Sequence, residues 1–282
     1  MNSRYLNVGC WNIEHYGKST DDNDENEYAL AEHIELSGVD ILALQELYIT
    51  DSTNMENRHL RKALDLIEEH TGNSWEYEIF PNKNAGDKSQ LCGVAWNTAR
   101  VTKEETYKIP VKTHVMHEGK RLGLWDRTPH AVKFATEPGK TDLVVIPIHM
   151  KSNVGRRHEV ILKRKYEAET LIDNIGNVVD KLNDKDIVIL GDTNCKSRSE
   201  EAIQAFVKGG FEDLNEDDIP TFVRGNEAPF DRIFIPQSEE RKAFWYSRQY
   251  ILRAASPLAH DTYLSDHYLI KTMVKIRSDD NR

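Results

Sequence analysis

The sequence predicts an α/β protein, and three observations carry that expectation. Short, mostly apolar runs at 39–44 and 186–190 have the length and pattern of strands buried on both faces. Each leads into a polar end, Gln45-Glu46 and Gly191-Asp192. Stretches with helical periodicity alternate with these runs, the widest at 156–182, where Ile161, Ala168, Ile172, Ile175 and Val179 share one face.

Taken in order, residues 5–12 read as a strand ending at Asn12. A polar loop, 19–26, precedes a helix reaching about Ser37, and the strand at 39–44 follows. Helical spacing returns at 54–71. Strand-like segments come next at 75–80, 91–97, 103–109, 130–136 and 142–149. The amphipathic stretch 156–182 leads to the strand at 186–190, and shorter elements lead to a strand at 230–235. A last strand follows His267. No internal repeat, low-complexity tract or linker rich in Gly, Pro or Ser interrupts the chain, so 1–282 reads as one domain.

A net charge of −10 argues against a protein that coats nucleic acid through bulk charge, but leaves room for an enzyme that grips a few phosphates locally. With 39% hydrophobic and 30% charged residues the chain lacks the bias of disorder. No stretch approaches the roughly 20 apolar residues that cross a bilayer, and no apolar signal core opens the sequence. A cytoplasmic, intracellular protein without membrane insertion and without an evident obligate protein partner is therefore expected. Cys10, Cys92 and Cys195 are odd in number and show neither zinc spacing nor a disulfide framework, so they read as buried, inert thiols.

The recurring feature is an apolar strand that ends in an acid, Asn or His: Asn12, Glu46, His149 and Asp192. Strand ends along one rim of a sheet are where α/β enzymes gather their chemistry, because rigid elements hold the side chains while loops admit substrate. Short motifs extend the pattern in a fixed order: Trp11-Asn12-Ile13-Glu14, Leu44-Gln45-Glu46, Arg127-Thr128-Pro129, Ile148-His149-Met150-Lys151-Ser152, Gly191-Asp192-Thr193-Asn194 and Ser265-Asp266-His267. Phe230-Asp231-Arg232-Ile233-Phe234 lies between the last two.

This ordered set resembles the endonuclease/exonuclease/phosphatase superfamily, which includes pancreatic-type deoxyribonuclease, exonuclease III-like abasic-site endonucleases and inositol-phosphate phosphatases. The resemblance runs from residue 5 to about 276. It implies a four-layer α/β sandwich, two packed mixed β-sheets flanked by helices, with the site at one end. It also implies a Mg²⁺- or Mn²⁺-dependent phosphoric-ester hydrolase.

By this resemblance Glu46 is the principal metal ligand, Asn12 a ligand or water-mediated neighbour, and Asp266 completes the set. Hard cations take such oxygen donors and offset the cost of burying a carboxylate. His267 faces the scissile phosphate, with Asp231 fixing its tautomer. Asp192 orients or deprotonates the attacking water, and Asn194 donates to a phosphate oxygen. Either Asp192 or His267 can be the general base. His149 matches a second His of deoxyribonuclease-like members, a phosphate donor or general acid. Arg127 and Lys151 are candidate phosphate-binding cations, each weighed against an ordinary surface charge. Glu14 stands between a group supporting the metal site and a surface acid.

The function implied is a nuclease cutting nucleic-acid phosphodiester bonds, DNA favoured, by in-line attack of water. The alternative is a phosphatase or phosphodiesterase of a phosphoinositide or another small or lipid phosphoester. A non-catalytic nucleic-acid-binding protein is the remote reading. Segments 82–90 and 110–126 are the expected substrate-selecting loops. The basic cluster Arg156, Arg157, Lys163, Arg164 and Lys165 reads first as a solvated helix face and second as a phosphate-tracking edge. The acidic run 21–27 lacks the Gly of a calcium loop and is set aside. Trp11 reads as core, whereas Trp245 stands evenly between core and substrate platform.

Overall fold

The computed structural model describes residues 4–18, 26–82, 89–237, 242–254 and 256–278. Most of the loops expected at 19–26 and 82–90, and the acidic run 21–27 apart from its last two residues, lie outside the described residues.

In chain order the elements are β1 (Tyr5–Asn12), α1 (Glu27–Ser37), β2 (Ile41–Leu47), α2 (Arg58–Thr71), β3 (Trp75–Ile79), β4 (Leu91–Asn97), β5 (Thr102–Lys108), β6 (His114–His117), β7 (Lys120–Gly123), β8 (His130–Ala135) and β9 (Asp142–His149). They continue with α3 (Arg157–Ile172), α4 (Ile175–Leu182), β10 (Ile187–Asp192), α5 (Glu201–Lys208), β11 (Phe211–Asp213), β12 (Asp231–Pro236), β13 (Tyr250–Leu252), α6 (Pro257–Tyr263) and β14 (Leu269–Lys275).

Two mixed sheets of six strands, ordered β13-β14-β1-β2-β4-β3 and β11-β12-β10-β9-β8-β5, pack face to face with helices outside. The apolar runs explain this layering. Along β2, Ile41 and Ala43 enter the layer between the sheets, while Leu42 and Leu44 pack under α1 and α2. In β9, Leu143 and Val145 point inward, and Val144, Ile146 and Ile148 lie under α3, α4 and α5. A strand apolar on both faces belongs in the middle of such a stack. Among the described residues no helix is long and apolar enough to cross a membrane.

The register of the central strands places the site. In the first sheet Asn12, at the end of β1, lies opposite Gln45 of parallel β2. A register shift between Leu44 and Leu47, with Glu46 at φ 63°, turns the Glu46 side chain out of the regular alternation. Bulges beside active sites commonly re-aim a side chain in this way. In the second sheet Asp192 lies opposite His149 on one side and Asp231 on the other. The expected chemistry-bearing strand ends therefore share one end of the sandwich.

Several expectations are corrected. The stretch 156–182 is two helices separated by Asp173 and Asn174. Of the expected face, Ala168 is buried and Ile172, Ile175 and Val179 pack against the core, but α3 also buries Val160, Arg164, Glu167 and Leu171. Periodicity missed part of the face because two of its inward residues are charged. Arg164, expected on a solvated face, is buried and donates to the carbonyl oxygen of Lys151 and to Asn153 Oδ1 (both 3.2 Å) and to Glu200 (2.9 Å). Helix α2 starts at Arg58 because Asn57 caps it, accepting from the Leu60 N–H at 2.9 Å. Segment 110–126 contains the hairpin β6–β7, which sits against α3 through a His117–Tyr166 contact of 3.0 Å.

Gly191, at φ 149°, carries the chain past β9; a Cβ there would lie 1.9 Å from the Ile148 carbonyl oxygen. No L side chain fits that approach. Gly191→Ala is expected to lower unfolding free energy by about 3 kcal/mol, since backbone strain and a main-chain clash combine. Urea denaturation checks this, and an unchanged midpoint with unchanged slope would remove the claim.

Candidate active site

At that shared end lies an open cavity of about 710 Å³, whose lining includes His15, Glu46, His149, Lys151, Asp192, Asn194, Asp266 and His267. Asn12, buried beside the lining residues it contacts, donates through Nδ2 to Glu46 Oε1 (3.3 Å) and Asp192 Oδ2 (3.2 Å). Its Oδ1 accepts the Glu14 N–H at 3.1 Å, which sets the amide orientation. Asn12 thus ties the rim of one sheet to the rim of the other. Its own carbonyl accepts from Ser265 Oγ at 2.6 Å, and the same hydroxyl accepts the His267 N–H at 3.0 Å.

His267 is the best-anchored group. Its Nδ1 donates to Asp231 Oδ2 at 2.7 Å, and Nε2 lies 3.9 Å from both Asp192 Oδ2 and Asp266 Oδ1. Phe222 and Phe230 pack against the ring, with centroids at 5.1 and 6.2 Å. The His267 carbonyl accepts from both Trp11 Nε1 and His260 Nε2 at 2.8 Å. Burial works against the imidazolium, but the charge and hydrogen bond of Asp231 outweigh it and raise the His267 pKa to about 10.

The carboxylates divide in behaviour. Burial pushes Glu46 up, but the hydrogen bond from His15 (3.0 Å), with His149 and Asn12, prevails and holds its pKa at about 2. Burial raises Asp192 to about 7 against the opposing charge of His267, with Asp231 and Glu46 adding to the rise. Burial likewise raises Asp266 to about 6, with Glu14 and Glu46 adding like-charge repulsion. Asp192 Oδ1 accepts the Asn194 N–H at 2.8 Å, and Asn194 takes φ 55°. His149 Nε2 lies 3.5 Å from Asp192 and 3.8 Å from Glu46. Its pKa is lowered chiefly by burial and by the Arg127 charge, so its neutral form is favoured.

The weaker assignments resolve into specific contacts. Lys151 lines the cavity, with Nζ 3.3 Å from Ser152 Oγ and 4.0 Å from Asp126. Its backbone N–H donates to buried Glu167 at 2.9 Å, so the inward charges of α3 hold this loop. Arg127 reaches the rim through a hydrogen bond to Gln90, which contacts His15 Nδ1 at 3.0 Å. Glu14 is ion-paired with Arg224 and accepts the Asp266 N–H at 3.2 Å, so it supports the site instead of facing bulk solvent.

Sequence reasoning missed His15, Gln90 and Arg224. His15 follows directly on the first motif, a signal that was available. Arg224 comes within 3.4 Å of Asp266 and bridges Asp261 to Glu14, the last across 210 residues with no local signature. Arg156 lines a separate surface cleft with the β6–β7 hairpin. Trp11 is core, whereas Trp245 is 56% exposed and absent from the cavity lining. The three cysteines are buried and unpaired, and burial pushes Cys92 and Cys195 up to about 12.

Among the described residues no three His, Cys, Asp or Glu side chains stand in a metal-gripping geometry. The expected ligand set, two carboxylates and one amide, contains only two such groups.

The Asp231–His267 pair gives a direct test. A pKa raised in the folded state contributes stability that is present below the unfolded value of about 6.5 and lost as pH climbs through about 10. In metal-free Asp231→Asn, His267 is expected to titrate far lower than in wild type. The variant's stability deficit should be full below pH 6.5 and shrink towards pH 10. NMR titration of the histidines together with unfolding at several pH values checks this; matching His267 titration curves would sink it.

No family model matches the sequence. A curated relative, Deoxyribonuclease-1-like 2 of Mus musculus, is 22% identical over 291 residues, spanning 98% of this chain and 94% of that protein. A solved endonuclease/exonuclease/phosphatase family protein from Bacteroides thetaiotaomicron superposes with a TM-score of 0.62 at 15% identity, covering 96% of this chain and 97% of that one. D. rerio TDP2 complexed with single strand DNA product gives 0.58 at 13% identity, covering 97% and 99%. At these identities the likeness speaks for the architecture, and it extends the resemblance from motif order to three dimensions: this chain has the deoxyribonuclease I-like fold of the endonuclease/exonuclease/phosphatase superfamily.

Proposed function

We propose that this protein is a divalent-metal-dependent phosphodiesterase that hydrolyses nucleic-acid phosphodiester bonds, DNA favoured, and that residues 1–282 act as one domain. The observation that carries the reading is the Asp231–His267 pair facing Asp192 across a cavity that also holds Glu46 and Asp266. A phosphodiester is anionic and resists nucleophiles, so its hydrolysis needs an aligned water, a proton acceptor and charge neutralisation. The likeness to TDP2 solved with a single strand DNA product, and to a deoxyribonuclease-like relative, supports a nucleic-acid substrate.

The donor chemistry fits Mg²⁺ or Mn²⁺. Glu46 is held ionised, while burial and neighbouring acids push Asp266 up, so this rim carries more carboxylate than its local cations balance. Glu46 and Asp266 would hold the ion, since hard cations favour oxygen donors; Asn12, with Oδ1 taken by the Glu14 N–H and Nδ2 facing Glu46, would orient Glu46. The ion would neutralise phosphate charge as the new P–O bond forms.

The protein's own groups account for the rest. Asp192, with a pKa near 7, can orient water and accept its proton near neutrality. His267, kept cationic by Asp231, can bind a phosphate oxygen or donate to it. Neutral His149 and the Asn194 amide are hydrogen-bond donors on the opposite wall. Lys151 and Lys196 add positive charge where a polyanion would enter.

A substrate panel tests the proposal: supercoiled DNA, single-stranded DNA, abasic duplex, RNA and a phosphoinositide, each with Mg²⁺, Mn²⁺ or EDTA. Nucleic-acid cleavage is expected, with EDTA abolishing it. Glu46→Ala and His267→Ala should each lower kcat by about 10²- to 10⁴-fold. Cleavage that survives EDTA or both substitutions would overturn the site assignment. Turnover of the phosphoinositide alone would transfer the chemistry to a small or lipid phosphoester.

A further inference from the structure

We propose that the outer edge of the first sheet, running from Arg253, which stacks on the residue after His267, to Trp245 and Arg277 at the far end, binds an extended single strand of nucleic acid whose scissile phosphate lies in the cavity. This rests on the nuclease reading above and specifies its substrate class.

Register makes the edge continuous with the site. Leu252 of β13 pairs with Leu269 of β14, two residues past His267, and Tyr250 pairs with Lys271. Arg253 stacks over the Tyr268 ring at 5.3 Å, and Tyr268 is the residue next to His267. Further along, Ser247 Oγ donates to the Met273 carbonyl at 2.8 Å, which seats the turn before β13 on β14. At the far end the Arg277 guanidinium lies 5.8 Å from the Trp245 ring centroid. The seven residues of β14 span about 23 Å at ~3.3 Å per residue. Several nucleotides of extended strand fit such a length, in the range of about 4 nucleotides that the smaller single-strand sites cover.

Composition points to the same partner. The chain carries −10 overall, yet residues 242–254 contain Lys242, Arg248 and Arg253 and no acid. Trp245, Tyr246 and Tyr250 are 56%, 65% and 40% exposed, three large aromatics within six residues. Cations beside solvent-facing aromatic rings are what sequence-tolerant single-strand binding uses: the cations follow phosphates and the rings stack bases. A lipid surface would also attract Trp, Tyr and Arg, but membrane-inserting segments present a projecting apolar tip. Here the aromatics are strung along an edge paired with β14, the strand that begins two residues past His267.

The test uses the full chain and a fluorescein-labelled 20-residue oligothymidylate in EDTA, read by anisotropy over a salt series. Trp245→Ala is expected to weaken binding about tenfold, and Trp245→Phe to restore most of it. Arg248→Glu should weaken binding further and flatten the dependence of log K on log salt by about 0.7 or more. With Mg²⁺, both variants should raise KM for the 20-residue strand and leave turnover of a dinucleotide unchanged. Unaltered affinity in both variants overturns the edge and leaves the cavity reading standing. Binding that depends on the edge, without cleavage of any nucleic acid, retains the edge and removes the cavity reading. Variant-sensitive binding to phosphatidylserine vesicles with oligonucleotide binding unaffected overturns the proposal in favour of a membrane surface.

Discussion

The site depends on one charge-assisted hydrogen bond, the 2.7 Å contact from His267 Nδ1 to Asp231. Glu46, Asp192, Asp231 and Asp266 crowd one end of the sandwich, where burial makes uncompensated carboxylates costly. The imidazolium that Asp231 stabilises is the cation nearest to Asp192, and it offsets part of that repulsion. Burial first, and like charge after it, still displaces Asp192 and Asp266 upward. Arg224, within 3.4 Å of Asp266, meets part of this electrostatic demand.

Geometry at the site follows from sheet register more than from loops. Parallel pairing of β1 with β2 and of β9 with β10 brings Asn12, the bulged Glu46, His149 and Asp192 to a common rim. Antiparallel β12 adds Asp231 opposite Asp192. The loop after β9 would otherwise be free to move. It is pinned from behind by Arg164 and Glu167 of α3, which satisfy the backbone at Lys151. Buried charge on a helix face thus orders the segment bearing Lys151 and Asn153, a role that a purely apolar face could not fill.

The molecule also separates its charges by place. An acidic chain repels nucleic acid at long range, which suppresses indiscriminate coating. Locally, Lys151 and Lys196 border the cavity, and the β13 edge carries cations next to exposed rings.

Much of this was legible in the sequence. Continuous apolar strands ending in Asn12, Glu46, His149 and Asp192 declare a layered α/β sheet with its chemistry on one rim, because burial on both faces forbids polar residues until the strand emerges. Motif order added Asp231, Asp266 and His267. What the chain could not reveal on its own were contacts between distant segments: Arg224 with Glu14 and Asp266, Glu167 with the backbone of Lys151, and Arg277 with Trp245. Hydrophobic periodicity also left Arg164 and Glu167 off the buried face of α3, since it assigns charged side chains to solvent. Tertiary structure decided these points because a charge is buried only where a partner from elsewhere compensates it, and that partner exists only after the sheets have packed.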